Sequence, residues 1–293
     1  MSGFFRYPGG KSKLKNQIYK YFNAGAEGLE YREPFFGGGS IGLKFVEDNA
    51  NWKKIWINDK DVGVASLWTS VIRHPDKLKQ MVQEFAPSVE LFDRFKEELL
   101  SGEEFETVEH GFKKLAIHQT SYSGLGVKSG GPLGGRNQKS AYKIDCRWSP
   151  DYICKKIDRL HKLFSTLKIR EEKCTSLDFT ELILSEDKSF LYLDPPYYIK
   201  GNDLYQHGFT DKDHERLANA LKESSNPWVL SYDDCDEIRK LYEWAEIDTV
   251  SVSYSITATK DKESGKRSSR DKEELLIYPK SIEEILDECR TTL

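Results

Sequence analysis

The motif with the clearest chemical meaning is Asp194-Pro195-Pro196-Tyr197, which directly follows the apolar run Ser189–Leu193. The two prolines fix φ and donate no backbone hydrogen bond, so they hold the chain rigid just beyond a predicted strand. The Asp194 carboxylate and the Pro195 carbonyl can accept both hydrogens of an aromatic amino group, and a fixed carboxylate stabilises positive charge that develops on nitrogen. Tyr197 offers a ring on which a planar base can stack. The motif therefore predicts a site that methylates a poorly nucleophilic amine.

A glycine-rich segment, residues 33–40, forms the second motif. It ends a predicted strand and opens a predicted helix, and Gly37, Gly39 and Gly42 have the spacing GxGxxG. Asp59 stands at the end of the next predicted strand. Glycines let the backbone approach a ligand at a helix start, and a carboxylate at that strand end can accept both hydroxyl hydrogens of a ribose. This arrangement predicts an adenosine-containing cofactor, either a dinucleotide or S-adenosylmethionine.

The segment Gly9–Ser12 has the letters of a phosphate-binding loop but not its spacing. That loop requires a glycine where this chain has Phe5, and it requires a preceding strand. We therefore exclude a nucleotide triphosphatase. Lys11, beside the turn at Pro8–Gly10, is interpreted as a place where the backbone and an ammonium group approach a ligand.

Short apolar runs that alternate with amphipathic stretches must position these motifs, and this alternation predicts an α/β fold with a mainly parallel sheet. The predicted strands are Leu29–Phe35, Lys54–Asn58, Leu167–Arg170, Phe190–Asp194, Trp228–Tyr232, Ile247–Tyr254 and Glu274–Tyr278. Apolar residues at three-to-four spacing predict the helices Ser12–Phe22, Ser40–Asp48, Asp61–Ile72, Pro150–Phe164, Asp211–Lys222 and Cys235–Trp244.

Residues 62–148 break this alternation, because after the helix that starts near Asp61 they show further helices and no strand of the same kind. These helices are predicted over Asp76–Phe85, Val89–Leu100 and Phe105–Thr120, and a glycine-rich stretch, Ser123–Lys139, follows them. Acidic residues dominate between Asp76 and Glu109, whereas basic residues dominate from Gly111 to Trp148 and again from Lys260 to Lys272. We therefore predict a catalytic domain formed by residues 1–61 and 149–293, and an inserted, mainly helical domain, residues 62–148, whose basic part faces a polyanion.

The order of the motifs resembles the Dam-type DNA N6-adenine methyltransferases, which use S-adenosylmethionine. The resemblance covers the chain from about Phe5 to Tyr278. It rests on Arg6–Lys11 (RYPGGK), Glu33–Ser40 (EPFFGGGS), Asp59, Asp194–Tyr197 (DPPY), Leu230–Tyr232 (LSY) and Glu274–Ile277 (ELLI). Ser121–Leu125 is similar to the family's aromatic-Asn-Gly-Leu element, although Ser123 replaces the asparagine.

The resemblance implies a Rossmann-like methyltransferase fold with a seven-stranded mixed sheet whose last strand is antiparallel. It implies that the catalytic residues are Asp194, Pro195, Pro196 and Tyr197. The residues expected to bind S-adenosyl-L-methionine are Tyr7, Lys11, Glu33, Pro34, Phe35, Gly37, Gly39, Ser40, Asp59 and Asp194. Those expected to bind DNA in the inserted target-recognition domain are Tyr122, Ser123, Lys128, Arg136, Lys139 and Arg147. No metal is expected, and GATC is the family's commonest target.

The partner implied is double-stranded DNA, in which the target adenine is rotated out of the helix. A cognate restriction endonuclease of a restriction-modification pair is a candidate second partner, and we expect a monomer or weak dimer. No apolar run has the ~18 residues of a membrane span, and the polar N-terminus lacks a signal sequence, so we expect no membrane association and a cytoplasmic location. The five cysteines form no CxxC pair, which argues against a disulfide framework and a cysteine zinc site.

Three alternatives remain open from the residues. The same nitrogen chemistry serves cytosine N4 or RNA, although the acid at position 194 and the resemblance to the Dam type favour adenine in DNA. A nicotinamide-dependent oxidoreductase could use the same glycine turn. A catalytically inactive DNA-binding module could keep the same fold.

Overall fold

The computed structural model describes residues 3–7, 11, 14–22, 29–48, 54–103, 105–199, 208–253, 259–260, 267–268, 271–280 and 282. The described strands are β1 (Glu30–Glu33), β2 (Lys54–Asn58), β3 (Lys168–Thr175), β4 (Ser189–Leu193), β5 (Trp228–Asp233), β6 (Glu246–Ser253), β7 (Thr259–Lys260), β8 (Arg267–Ser268) and β9 (Asp271–Tyr278).

Seven of these strands form one mixed sheet in the order β3-β2-β1-β4-β5-β9-β6. Strands β1 to β5 pair with one another in parallel, whereas β9 is antiparallel to both β5 and β6. The expected seven-stranded methyltransferase sheet with an antiparallel last strand is therefore confirmed. The short strands β7 and β8 pair separately as an antiparallel ladder.

Ten α-helices are present in the described residues. They are α1 (Lys15–Phe22), α2 (Gly42–Asp48), α3 (Val62–Arg73), α4 (Pro75–Glu84), α5 (Val89–Ser101), α6 (Thr107–Thr120), α7 (Pro150–Ser165), α8 (Phe179–Ile183), α9 (Asp211–Glu223) and α10 (Asp236–Leu241). Side-chain caps define several starts: Asp61 accepts the Val64 amide at 3.2 Å, and Thr210 and Asp213 form a capping box at α9.

The sheet lies between two apolar layers, because alternate residues of a strand point to opposite faces. On β4, Phe190 and Tyr192 join a core with α3 and α7, while Leu191 and Leu193 join a second core with α8, α9 and α10. All four side chains are fully buried. A strand buried on both faces is apolar throughout, which is why β4 shows a continuous apolar run in the sequence.

Helices α3 to α6 lie in the chain between β2 and β3, and residues 62–148 contribute no strand to the seven-stranded sheet in the part of the chain described. Helix α3 packs against β3 and α7 of the sheet layer and also against α6. The larger core continues from the sheet through Trp68 on α3 to Phe112 on α6 and Trp148. The sheet and the helices of residues 62–148 therefore share one apolar core.

The predicted elements are present, with shifted ends. The strand predicted over Leu29–Phe35 spans only β1, because Pro34 has no amide hydrogen to donate and turns the chain. The strand predicted to end at Arg170 continues to Thr175 after a register shift against β2. The sequence patterns missed α8 and the β7–β8 ladder. The predicted helix start at Ser12 and most of the basic run after Lys260 lie outside the described residues.

Candidate active site

The three predicted motifs lie at the carboxyl ends of three adjacent parallel strands. Asp59 follows β2, the glycine turn follows β1, and Asp194 follows β4. The chain order of the strands reverses between β1 and β4, and in open α/β sheets ligands bind in the crevice outside such a reversal. The topology therefore brings the motifs of the sequence to one crevice.

The glycine turn is held against two other parts of the crevice. Gly37 has a left-handed backbone with φ 48°, and a Cβ atom there would lie 2.6 Å from the Tyr7 ring. Its amide donates to Asp59 Oδ2 at 2.8 Å, and its carbonyl accepts from Trp68 Nε1 at 2.9 Å. Glycine is required at this position because both the conformation and the space exclude a side chain.

Asp59 is a constrained carboxylate. Its second oxygen, Oδ1, accepts the Asp61 amide at 3.0 Å. Each carboxylate oxygen of Asp59 therefore accepts one backbone hydrogen bond, Oδ2 from Gly37 and Oδ1 from Asp61. Burial, and next the charge of Asp61, raise the pKa of Asp59 to about 7, although the two amides and Lys114 favour the charged form. Each oxygen still has capacity to accept another hydrogen bond.

Asn58 joins the strand ends beneath the crevice. Its amide nitrogen donates to the carbonyls of Pro34 and Leu177, at 3.1 and 3.2 Å. Its amide oxygen accepts the Thr175 hydroxyl at 2.6 Å and the Leu177 amide at 2.8 Å. One buried side chain at the end of β2 thus fixes the segments that follow β1 and β3, and sequence reasoning did not single it out.

Asp194 lies at the centre of the crevice. Its Oδ1 accepts the Ser231 hydroxyl at 3.0 Å and lies 3.7 Å from Lys11 Nζ, and its side chain keeps 19% exposure. Burial raises the pKa of Asp194 to about 6, and Lys11 opposes that shift while Glu274 adds to it. Near neutral pH this carboxyl is charged and accessible to a ligand.

The segment after Asp194 is fixed at both of its ends. Ser231 on β5 also donates to the Leu193 carbonyl, at 3.3 Å. Asp233 at the end of β5 accepts the amides of Tyr198 and Ile199, each at 2.9 Å. The turn through Pro195 and Pro196 is therefore anchored on both sides by β5.

Lys11 contacts both the glycine turn and Asp194. Its amide donates to Ser40 Oγ at 3.0 Å, and its ammonium lies 4.1 Å above the centroid of the Tyr197 ring. The same ammonium lies 3.4 Å from Glu274 Oε2, which accepts the Tyr197 hydroxyl at 2.7 Å. Lys11 thus connects the glycine turn with the DPPY motif.

Aromatic rings line another side of the crevice. The Phe35 ring lies 5.7 Å from Phe179 and 5.6 Å from Phe209, and those two rings are 5.4 Å apart. Phe179 begins α8, the helix that the sequence patterns missed. An apolar aromatic wall of this kind suits a flat heterocycle.

The remaining residues expected at the cofactor site support the turn from below. Glu33 is buried and accepts the Tyr31 hydroxyl at 2.6 Å, and burial raises its pKa well above the ordinary value. The Pro34 carbonyl accepts from Asn58, and the Gly39 amide donates to the Phe36 carbonyl at 2.7 Å. These groups shape the turn through contacts within the protein.

Comparison with protein-family models gives one match over residues 7–256, to the D12 class N6 adenine-specific DNA methyltransferases. The chain belongs to this family. The match confirms the Dam-type resemblance and spans the Asp194 motif and the segment between β2 and β3. A search of the curated proteins found no match. Among the described residues, no helix combines the length and the apolar character that crossing a bilayer requires.

In this D12-class methyltransferase, the segment after α6 packs against Arg6 and α6 itself packs against Tyr7, whose ring lies against Gly37. Arg6 Nη1 donates to the Ser121 carbonyl at 3.1 Å. His118 on α6 lies 5.3 Å from the Tyr7 ring, and its Nδ1 is 2.9 Å from the Gly124 carbonyl. Burial lowers the pKa of His118 to about 3, so its ring is neutral at physiological pH. Sequence reasoning assigned no role to Arg6, although it opens the RYPGGK segment, and it missed His118, which stands in no motif.

The residues expected to bind DNA are mostly on the surface. Tyr122 is 65% exposed, and Ser123 adopts the left-handed region with φ 55°. Lys128, Lys139 and Arg147 are also exposed. Arg136 forms a two-bond ion pair with Asp93, at 2.7 and 3.0 Å, so a phosphate would compete with that carboxylate.

Proposed function

We propose that this D12-class protein transfers a methyl group from S-adenosyl-L-methionine to N6 of an adenine in a specific sequence of double-stranded DNA. One observation carries the proposal. The Asp194 carboxylate is fixed by Ser231 at 3.0 Å, stands at the sheet reversal, and remains partly exposed beside the Tyr197 ring. A fixed acceptor next to an aromatic surface suits a flat base that carries an amino group.

The residues that we propose for the cofactor fit its chemistry. Asp59 keeps acceptor capacity for ribose hydroxyls, and the Phe35–Phe179–Phe209 wall suits an adenine ring. The Asp194 carboxylate, and the Asp59 carboxylate at a pH above its pKa of about 7, favour a positively charged ligand in the crevice. S-adenosyl-L-methionine supplies an electrophilic methyl group on a positively charged sulfur.

The proposed mechanism depends on positioning and electrostatics. The lone pair of the adenine amino group is delocalised into the ring, and acceptors at Asp194 and Pro195 draw the two hydrogens and favour a tetrahedral nitrogen. Asp194, charged near neutral pH, stabilises the positive charge that develops on this nitrogen. The carboxylate then receives or relays the proton that the methylated nitrogen releases.

The depth of the site supports base rotation. Pro195 and Pro196 are buried and the Asp194 side chain is mostly enclosed, so a stacked base in a duplex cannot reach the carboxylate. We further propose that residues 62–148 are the target-recognition domain and that Tyr122, Ser123, Lys128, Arg136, Lys139 and Arg147 contact DNA. The contacts of Ser121 with Arg6 and of Gly124 with His118 support a recognition segment close to Tyr7, the residue that lies against Gly37.

Replacement of Asp194 tests this proposal. Asp194→Asn keeps the shape but removes the charge, and we expect methyl transfer to fall by at least about 100-fold, as for loss of one strong electrostatic contact. Cofactor binding, measured by calorimetry, should remain within a few-fold. Asp158→Asn, an exposed acid on α7, is the matched control and should keep full activity. Unchanged transfer by Asp194→Asn contradicts the assignment of the site.

A further inference from the structure

Glu274 is a buried acid that directly precedes the apolar part of β9. It lies on β9 beside the end of β5, in register with Asp233, and the following residues Leu275, Leu276 and Ile277 are all fully buried. The side chain of Glu274 is 4% exposed. A charge in such a place is costly unless it has partners, and the strand would pack as well with an apolar residue. Glu274 also lies beyond the residues matched by the family model.

Two of the contacts of Glu274 are with groups of the proposed active site. Its Oε2 accepts the Tyr197 hydroxyl at 2.7 Å and lies 3.4 Å from Lys11 Nζ. The Lys11 ammonium is also 3.7 Å from Asp194 Oδ1 and 4.1 Å above the Tyr197 ring centroid. It therefore contacts the same carboxylate and the same ring that the amino group of a stacked base would contact.

We propose that Glu274 is a positioning residue that fixes the Tyr197 ring and takes over the Lys11 ammonium when the target base enters. This inference rests on the proposed function. With no base in the site, Lys11 is shared between Asp194 and Glu274. A base that binds Asp194 displaces the ammonium, and Glu274 keeps it paired inside the protein. Without the Glu274 charge, the Lys11 ammonium pairs with Asp194 instead and competes with the base for that carboxylate.

The test combines substitutions at both members of the pair. The duplex is one that the wild-type protein methylates, with 2-aminopurine at the target adenine, and base entry is measured by its fluorescence with S-adenosylhomocysteine present. Glu274→Gln should reduce base entry at least tenfold and lower kcat, with the KM for the cofactor unchanged. Adding Lys11→Met to Glu274→Gln should restore base entry to within threefold of the wild type, because the competing ammonium is gone. Glu273→Gln, the exposed neighbour on β9, is the control and should leave base entry unchanged.

Several results would overturn the inference. If base entry in Glu274→Gln equals that of the wild type, Glu274 has no role in base entry. If base entry is lost and adding Lys11→Met does not restore it, Glu274 is merely structural. If Glu274→Gln fails to fold, Lys11→Met alone decides: base entry at or above the wild-type level supports the proposal, and its loss contradicts it. Absence of methyl transfer by the wild-type protein would overturn the proposed function and this inference together. If the wild-type protein transfers methyl groups but Lys11→Met does not restore base entry to Glu274→Gln, this inference alone is overturned.

Discussion

At the scale of single residues, two buried carboxyl groups govern the pH behaviour of the crevice. Burial raises the pKa of Asp59 to about 7 and that of Asp194 to about 6, from an ordinary value of 3.8. A carboxyl whose pKa is raised on folding stabilises the fold most below its unfolded value, and that contribution is lost as the pH rises through the folded pKa. For the ligand-free protein, these two groups therefore lower the free energy of unfolding progressively as the pH rises from about 4 to about 7.

Cofactor affinity should depend on the charge of Asp59. The carboxylate accepts ribose hydroxyls better than the neutral acid, so S-adenosylhomocysteine should bind most tightly above pH 7. Below that pH the affinity should fall by up to about tenfold per pH unit. Calorimetric titrations between pH 5.5 and 8.5 measure this, and Asp59→Asn should bind weakly with little pH dependence. An equally flat profile for the wild-type protein would show that Asp59 does not bind the ligand as a carboxylate.

Ser123 carries a backbone conformation that suits asparagine better. Its φ of 55° lies in the left-handed region, where asparagine is several-fold enriched over other non-glycine residues. Ser123→Asn should raise the free energy of unfolding by about 0.5–1 kcal/mol, which corresponds to a Tm increase of about 1–3 °C. Differential scanning calorimetry measures the shift. Ser225→Asn, at an exposed position without positive φ, should not change Tm, and an equal effect of both substitutions would refute the conformational explanation.

At the scale of elements, α6 connects the proposed cofactor side of the crevice with the segment predicted to recognise DNA. Lys114 on α6 reaches Asp61, the cap of α3, and both side chains are buried. One turn further along α6, His118 contacts Tyr7 and the Gly124 carbonyl. The helix thus contacts the Asp59–Asp61 turn at one point and the segment after Ser121 at another.

Loss of Lys114 should strongly destabilise the protein. Lys114→Met leaves the Asp61 carboxylate buried without this cation, and breaking such a pair costs about 3–5 kcal/mol. Urea denaturation measures the change. Adding Asp61→Asn should recover much of the loss, because no uncompensated charge remains. Lys155→Met on the exposed face of α7 is the control, and an effect of Lys114→Met no larger than that of the control would contradict the buried pair.

Elements were predictable from the sequence where local signals were strong. The strand β2 matches its predicted bounds, since its apolar run ends at a polar turn, and helix α9 follows a threonine with an acid three residues later. Helix α8 was missed because five residues show too little periodicity to indicate a helix. The extension of β3 to Thr175 depends on pairing with β2, which local sequence does not specify.

At the scale of the whole molecule, the N-terminal segment 3–7 joins the proposed active-site crevice to the predicted recognition region. The Phe4 amide donates to the Gly38 carbonyl at 3.0 Å, and Lys156 Nζ donates to the Phe4 carbonyl at 3.1 Å. Arg6 is bound to Ser121 at 3.1 Å. Burial, and next the positive charge of Arg147, lower the pKa of Arg6.

A DNA phosphate would relieve the repulsion between these two arginines. Arg6→Ala and Arg147→Ala should each weaken DNA binding by roughly tenfold, equivalent to about 1.4 kcal/mol. Each should also reduce the slope of log affinity against log salt by about 1. Fluorescence anisotropy at several salt concentrations measures both quantities, and Arg159→Ala on α7 is the control. A slope that stays the same in both variants would exclude a phosphate at this pair.

The sequence predicted the site through residues that stand in motifs at strand ends. Asp59, Gly37 and Asp194 were predicted because strand order and glycine spacing are visible locally. Asn58 and Glu274 were not, because their importance comes from partners distant in sequence, such as Leu177 and Tyr197. The local signals were a polar residue at the end of an apolar run, for Asn58, and the ELLI segment of the family resemblance, for Glu274.

Identifying the nucleoside that carries a transferred methyl label tests methyl transfer to adenine N6 in DNA directly. The protein is incubated with methyl-labelled S-adenosylmethionine and unmethylated genomic DNA, and the DNA is digested to nucleosides and sequenced at its modified positions. We expect the label in N6-methyladenine within one recognition sequence. Label in N4-methylcytosine, or none in DNA, would contradict the account.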